Sequence, residues 1–387
     1  GRDDSRLHEA MDLIAESVAV CRAHPHQRIL LASVLRTQAA CFRLHGDAEK
    51  AIDSYQEASE IFQADDLTDE PRGHRITQEL AETHFVKGQF QQAHRLLEQL
   101  EELCREHQAT VSLVECLTLR GWGFCIAEDY AAAEYYLRNA VEIAEKNKSE
   151  YPTNTRSFAN FHLARVLVEL ERNSDAQVHL QRILEQTTGF TKDVVADEIT
   201  LYGHAWTLAH QDSSTKAELE SAIEFAERGL EQSSLRQHSW QEPHFHLVIA
   251  IAQHKLGRVD SAINSLQRGI KKCRQPFPSL RASRESIPTS RRELEVTLAR
   301  LLAGQNKVED AVKVLEHGVD VRKEQFSSEH LQVVLAELRL GKFLRMQNGM
   351  SDRADQLIET AKKKLSEIYD FEPVERDADK TTLAPLD

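Results

Sequence analysis

An alanine returns along this chain at a nearly constant interval. Ala10, Ala51, Ala93, Ala133, Ala176, Ala222, Ala262, Ala311 and Ala354 are separated by 41, 42, 40, 43, 46, 40, 49 and 43 residues. Self-similarity at a fixed period marks a repeat architecture, in which each unit buries its apolar face against the next. Every anchoring alanine sits in a phrase of helical spacing. In GDAEKAIDSYQEASEIF, Ala51, Tyr55 and Ala58 fall on one helix face. The phrase returns as GQFQQAHRLLEQL with Ala93 and Leu97, EDYAAAEYYLRNA with Ala133 and Leu137, and GRVDSAINSLQRG with Ala262 and Leu266. A second small residue lies twelve before most of these alanines, at Ala39, Ala81, Gly121, Ala164, Ala250 and Ala299. Two helices cross closely only where neither carries a bulky side chain. Each repeat is therefore expected to hold two packed helices, A and then B.

Composition agrees with that reading. The 387 residues include only 9 Pro and 15 Gly, so long helices with short connections are expected. The order of small residue in helix A, glycine near the turn, aromatic two later and small residue in helix B resembles the tetratricopeptide repeat (TPR) family. The standard TPR spans 34 residues; the repeat of about 42 here is similar to that of kinesin light chains and related bacterial proteins. VDVRKEQFSSEHLQVV, with Arg322 and His330, is the best local match, and the resemblance runs from about Leu7 to Tyr369. Those relatives carry an Asn pair just before the small residue of helix A, where this chain has only Asn160. The resemblance implies an all-α fold, a right-handed α-α superhelical solenoid of TPR-like helix pairs with a concave face lined by the A helices.

The solenoid is expected over residues 1–371, as about eight helix pairs plus a leading orphan helix B (His8 to Ala23), followed by a disordered acidic tail over 372–387. That first helix is apolar on more than one side, through Met11, Leu13, Ile14, Val18 and Val20, so the chain reads as an excised arm of a larger protein. PFPSLRASRESIPTSRR, Pro276 to Arg292, reads as a solvated, basic inter-repeat loop, with docking or phosphorylation as the functional alternative.

Several function classes are disfavoured. The net charge of −14 argues against general nucleic-acid affinity, and no apolar run approaches the length of a membrane span. Cys21, Cys41, Cys104, Cys116, Cys125 and Cys273 form no CxxC pair and read as reduced core thiols of a cytoplasmic protein. His24 with His26 and His244 with His246 are weak metal signals and read as surface or groove histidines. No phosphate loop, nucleophile elbow or zinc-protease motif occurs, so neither catalysis, metal nor cofactor is expected. GWG, Gly121 to Gly123, lies inside a helical pattern and reads as close helix packing.

Counting back from the alanines gives the candidate concave residues: Arg36, Arg43, Arg75, Phe85, Trp122, Phe161, Arg165, Tyr202, Trp206, His254 and Arg300. Acidic neighbours on the same face are few, namely Glu82, Glu115 and Glu293. A net-positive groove with central aromatics on an acidic chain is expected to bind a protein or peptide, an acidic segment carrying an aromatic anchor. The function expected is thus a protein-interaction scaffold. The alternative is a regulatory or sensor arm of a larger kinase or signal-transduction ATPase.

Overall fold

In a computed structural model of the chain, the described residues are 2–45, 47–65, 70–146, 153–187, 198–211, 214–235, 242–273, 286–347 and 351–369. They form seventeen α-helices and no strand. The tail over 372–387, Trp240 and the first part of the basic loop, 274–285, lie outside them.

A leading helix, α1 (Arg2–Arg22), packs on α2 and leaves Leu13 and Val20 exposed. Helices of type A and type B then alternate. The pairs are α2 (Arg28–His45) with α3 (Ala48–Ala64), α4 (Pro71–Val86) with α5 (Phe90–Glu106), α6 (Thr110–Ile126) with α7 (Tyr130–Lys146), and α8 (Thr153–Glu169) with α9 (Asn173–Thr187). There follow α10 (Glu198–His210) with α11 (Lys216–Leu235), α12 (Glu242–Lys255) with α13 (Val259–Lys272), α14 (Ser286–Gly304) with α15 (Val308–Gln325), and α16 (Leu331–Met346) with α17 (Ser351–Tyr369). The fold is an all-α helical-repeat solenoid. Its helices gather into two compact units, one drawing on residues 1–124 and 131–159, the other on 125–130, 160–275 and 286–387.

The repeated alanines are the points of closest approach. From Ala51 to Ala354 the B-helix anchors are at most 1% exposed, and so are Ala39, Ala81, Ala164, Ala250 and Ala299 on the A helices. At Gly121 a β-carbon would come within 2.5 Å of Leu137 Cγ and 3.2 Å of the Ala133 carbonyl oxygen, so the helices meet backbone to side chain there. Around these contacts each unit builds an apolar core. Ala39, Ala51, Tyr55, Phe62 and Ile76 belong to the first; Leu266, Leu294, Leu315, Phe343 and Ala354 belong to the second. Each fully buried Leu or Phe contributes about 2 kcal/mol.

The A-to-B turns share one conformation. Gly88, Glu128, Glu171, Gly257 and Asn306 all have φ between 56° and 77°. In four of these turns the next residue donates its N–H back to a carbonyl five residues earlier, as in Gln89 to His84 at 2.8 Å and Lys307 to Leu302 at 2.9 Å. This is the Schellman closure of an α-helix, which requires a left-handed residue. At the start of α11, Thr215 and Glu218 cap each other reciprocally: the Glu218 carboxylate accepts from the Thr215 N–H at 2.7 Å.

The basic loop ends sooner than the sequence suggests. Ser286 to Arg292 are helical, in the first turns of α14, and Arg291 and Arg292 are buried rather than solvated. The reason is local pairing: Arg291 Nε donates to the Glu295 carboxylate one turn along, at 2.5 Å.

Candidate functional site

In the first unit the candidate arginines project from the A helices α2 and α4. Each is met by a carboxylate of α4. Arg36 forks onto Glu79 with N–O distances of 2.8 and 2.7 Å, and Arg75, one turn before Glu79, donates to it at 2.9 Å. Arg43 is paired with Glu82. Burial alone would raise the Glu79 carboxyl pKa, but Arg36 and Arg75 outweigh it and hold the group below the usual range. The arginines are therefore not bare positive charges. Three guanidiniums face two carboxylates, and Arg36 and Arg75 stay 42% and 55% exposed at the side chain.

Phe85 does not line this face. It is buried and wedged between Phe90, His94 and Trp122 at ring-centroid distances of 5.3, 5.1 and 5.9 Å. Its ring also fills the space where Gly123 lacks a β-carbon. Trp122 is half-buried, as is His94, whereas Phe85 and Phe90 are buried. His94 lies tilted against Phe124, ring centroids 4.3 Å apart, and burial pushes its pKa down to about 4.

In the second unit Phe161, Tyr202 and Trp206 come together as expected of one helical face. Phe161 lies 5.7 Å from Tyr202 and 6.0 Å from Trp206, and Trp206 stacks on His210 at 4.0 Å. Tyr202 and Trp206 are buried, however, so they shape the face from beneath. Phe161 is half-buried and lies under the Arg165 guanidinium, 5.8 Å from its centroid. His254 and Arg300 are half-buried, and burial lowers the pKa of each. His244 and His246 are buried in α12 rather than lying at the surface, because this helix is enclosed almost throughout.

Arg165 is also neutralised, by Glu293. Around that pair lies a polar cluster that the sequence reading missed. Arg292 of α14 donates to Tyr130 Oη at 3.0 Å and reaches Glu169 and Glu293 at 3.3 Å and Glu128 at 3.5 Å. Arg339 of α16 donates through Nε to Glu128 at 2.8 Å. Burial works to raise the Glu128 carboxyl pKa, yet Arg339 and Arg292 hold it below the ordinary range. A second buried group joins Arg291 and Arg322 to Glu295, with Arg322 Nη1 also donating to the Gly318 carbonyl at 2.7 Å. His330 caps α16 by accepting from the Gln332 N–H at 3.2 Å. Among the described residues no group of three or more His, Cys, Asp or Glu could hold a metal ion, and no helix is long and apolar enough to cross a membrane.

The family model for the ARM repeat of tetratricopeptide repeat protein 21 matches residues 240–371. The matched stretch carries a repeat of tetratricopeptide type. The matched family is one of structural repeats, not a catalytic family. Among solved structures, NprR in complex with its cognate peptide NprX shares the TPR fold at TM-score 0.50 and 13% identity, over 90% of this chain and 96% of that one. A Rap protein complexed with competence and sporulation factor aligns at TM-score 0.49 and 12% identity, covering 88% and 90%. A Pyrococcus horikoshii signal-transduction ATPase with a TPR sensor aligns at TM-score 0.43 and 14% identity, covering 99% and 55%. No curated protein matches the chain in sequence.

Two signals in the sequence point to these residues. Arg291 and Glu295 stand four apart, the spacing of an ion pair on a helix. Glu128 occupies a turn slot that Gly88 and Gly257 fill elsewhere.

Proposed function

We propose that this TPR protein is a protein-interaction scaffold that holds an acidic partner segment along the A-helix face of its first unit. The observation that carries the reading is the excess of guanidinium there. Arg36, Arg43 and Arg75 outnumber Glu79 and Glu82, and their exposed edges offer donors on a chain whose net charge is −14. A carboxylate approaching Arg36 or Arg75 gains a charge-assisted bond without first stripping a buried pair. Trp122 supplies an aromatic contact for an anchor side chain, since buried Phe85 fixes its position from behind. The complex of NprR with its cognate peptide NprX supports the reading, since NprR has a similar fold.

The test uses the whole chain as bait, mass spectrometry to name what is captured, and a double variant Arg36→Glu with Arg75→Glu. Capture of the named partner should fall at least about tenfold in the variant, and wild-type binding should weaken with added salt. Equal capture by wild type and variant, at equal helicity, would place the site elsewhere.

A further inference from the structure

In a linear stack each repeat touches only its neighbours. The bonds from Arg292 and Arg339 to Glu128 join residues 164 and 211 positions apart. They therefore add something that the repeat packing does not require. Three features of the second unit say what it is.

The first is the choice of residue. Glu128 adopts φ +62° in a turn slot that Gly88 and Gly257 fill without strain. A side chain with a β-carbon is disfavoured in that conformation, so a carboxylate stands where the backbone prefers none.

The second is an unfinished bond. Arg339 is buried, donates to Glu128 through Nε, and leaves Nη2 with no acceptor. A guanidinium is built to grip a carboxylate through two parallel N–H groups. Glu128, tethered by its turn, takes only one of them. The contact from Arg292 to Glu128 is long as well, at 3.5 Å. A carboxylate free of the turn would fit these donors better.

The third is access. The Glu128 and Glu169 side chains retain 21% and 27% exposure, so the cluster reaches solvent on its acidic side. Ion pairs removed from water lose most of their attraction to desolvation, which leaves the clasp closely balanced.

We propose that Arg292 and Arg339 form a carboxylate-binding site, and that the segment Cys125–Tyr130 is its internal ligand, displaced when an acidic side chain of a partner takes the place of Glu128. The class of occupant rests on the acidic-partner reading above; the displaceable clasp does not.

Two measurements separate these elements. Cys125 sits in the clasped segment, and burial pushes its thiol up to about 12, so its alkylation reports opening. In the full chain, alkylation of Cys125 should rise about tenfold in 1 M salt, and likewise in Glu128→Gln at low salt. Exchange protection in α12 and α13 should be unchanged. Binding of a hexaglutamate peptide should be about tenfold tighter to Glu128→Gln than to wild type, and Arg339→Met added to Glu128→Gln should remove that gain. The first unit is identical in all three proteins, so the differences report on the second. Unchanged alkylation in both salt and variant overturns the clasp. Raised alkylation without a gain in hexaglutamate binding overturns the carboxylate site while leaving the clasp. Loss of protection spread over α12 and α13 overturns both, because Glu128 would then be a structural residue. If Glu128→Gln fails to fold, the salt response of wild-type Cys125 decides the clasp; hexaglutamate raising Cys125 alkylation in wild type supports the site, and unchanged or lowered alkylation overturns it.

Discussion

Two glycines of the second unit look alike in the sequence and should respond oppositely to the same substitution. Gly229 lies in α11, and a β-carbon there would stand 2.2 Å from Phe245 Cζ and 2.3 Å from Cε1. Phe245 is completely buried and packs against Tyr202 at 5.9 Å, so its ring has nowhere to withdraw. Gly229→Ala forces overpacking, which costs about 1–3 kcal/mol, against about 0.5–1 kcal/mol gained by replacing a helical glycine. The net expectation is a loss of about 1–2 kcal/mol. Gly203 lies in α10, and among the described residues its β-carbon would meet only Ile183 Cγ2 at 3.9 Å, an ordinary contact. Gly203→Ala keeps the helix gain alone and should stabilise by about 0.5–1 kcal/mol. A repeat array need not melt as one cooperative unit, so the assay is amide exchange resolved over α10, α11 and α12, read beside urea unfolding. The two variants should move protection of those helices in opposite directions, separated by about 2 kcal/mol. If Gly229→Ala protects them as well as Gly203→Ala does, the argument from close approach is wrong.

Acid should destabilise the protein well above the range of ordinary carboxylates. Burial lowers the pKa of His162 to about 3 and those of His210 and His246 to about 4, from 6.5. The unfolded chain therefore binds these protons first; stability is full above pH 6.5 and is lost as pH falls toward 4, by up to about 3 kcal/mol per histidine. A thermal midpoint flat between pH 7 and 4.5 would contradict this. Arg322→Ala should cost about 3–5 kcal/mol, because it strips one of the two guanidiniums from buried Glu295; retention of wild-type exchange protection in α14 and α15 would refute that.

The parts of the fold that were legible in the sequence are those set by sterics between neighbours. Ala51, Ala93 and Ala262 are visible as a period because close crossing of helices A and B admits nothing larger, whatever else the chain does. Gly121 was legible for the same reason. The start of α14 was not. Pro288 and the serines around it look like loop, yet a proline within the first turn of a helix forfeits no backbone bond. The charge of the A-helix face is hard to read for another reason. Arg36, Arg43, Arg75 and Arg165 project from A helices, and Glu79, one turn after Arg75, is shared between Arg36 and Arg75. The sum of charges along a face says little about which are already spent on one another.

Long-range pairing lies beyond such counting altogether. Nothing in the spacing of Glu128, Arg292 and Arg339 announces that they meet, since the separations of 164 and 211 residues match no local rule. What the sequence does hold is a local exception. In the left-handed turn slot, Gly88 and Gly257 satisfy the backbone, and Asn306 is the next best tolerated type. Glu128 and Glu171 satisfy it least, and both carry charges that act on arginines of α14: Glu128 on Arg292, Glu171 on Arg300. A residue that strains its own turn and recurs in consecutive repeats marks a place to look for an interaction elsewhere. Comparing repeats for the member that breaks the local preference, rather than for the members that keep it, is the reading that would have led from this sequence to the clasp.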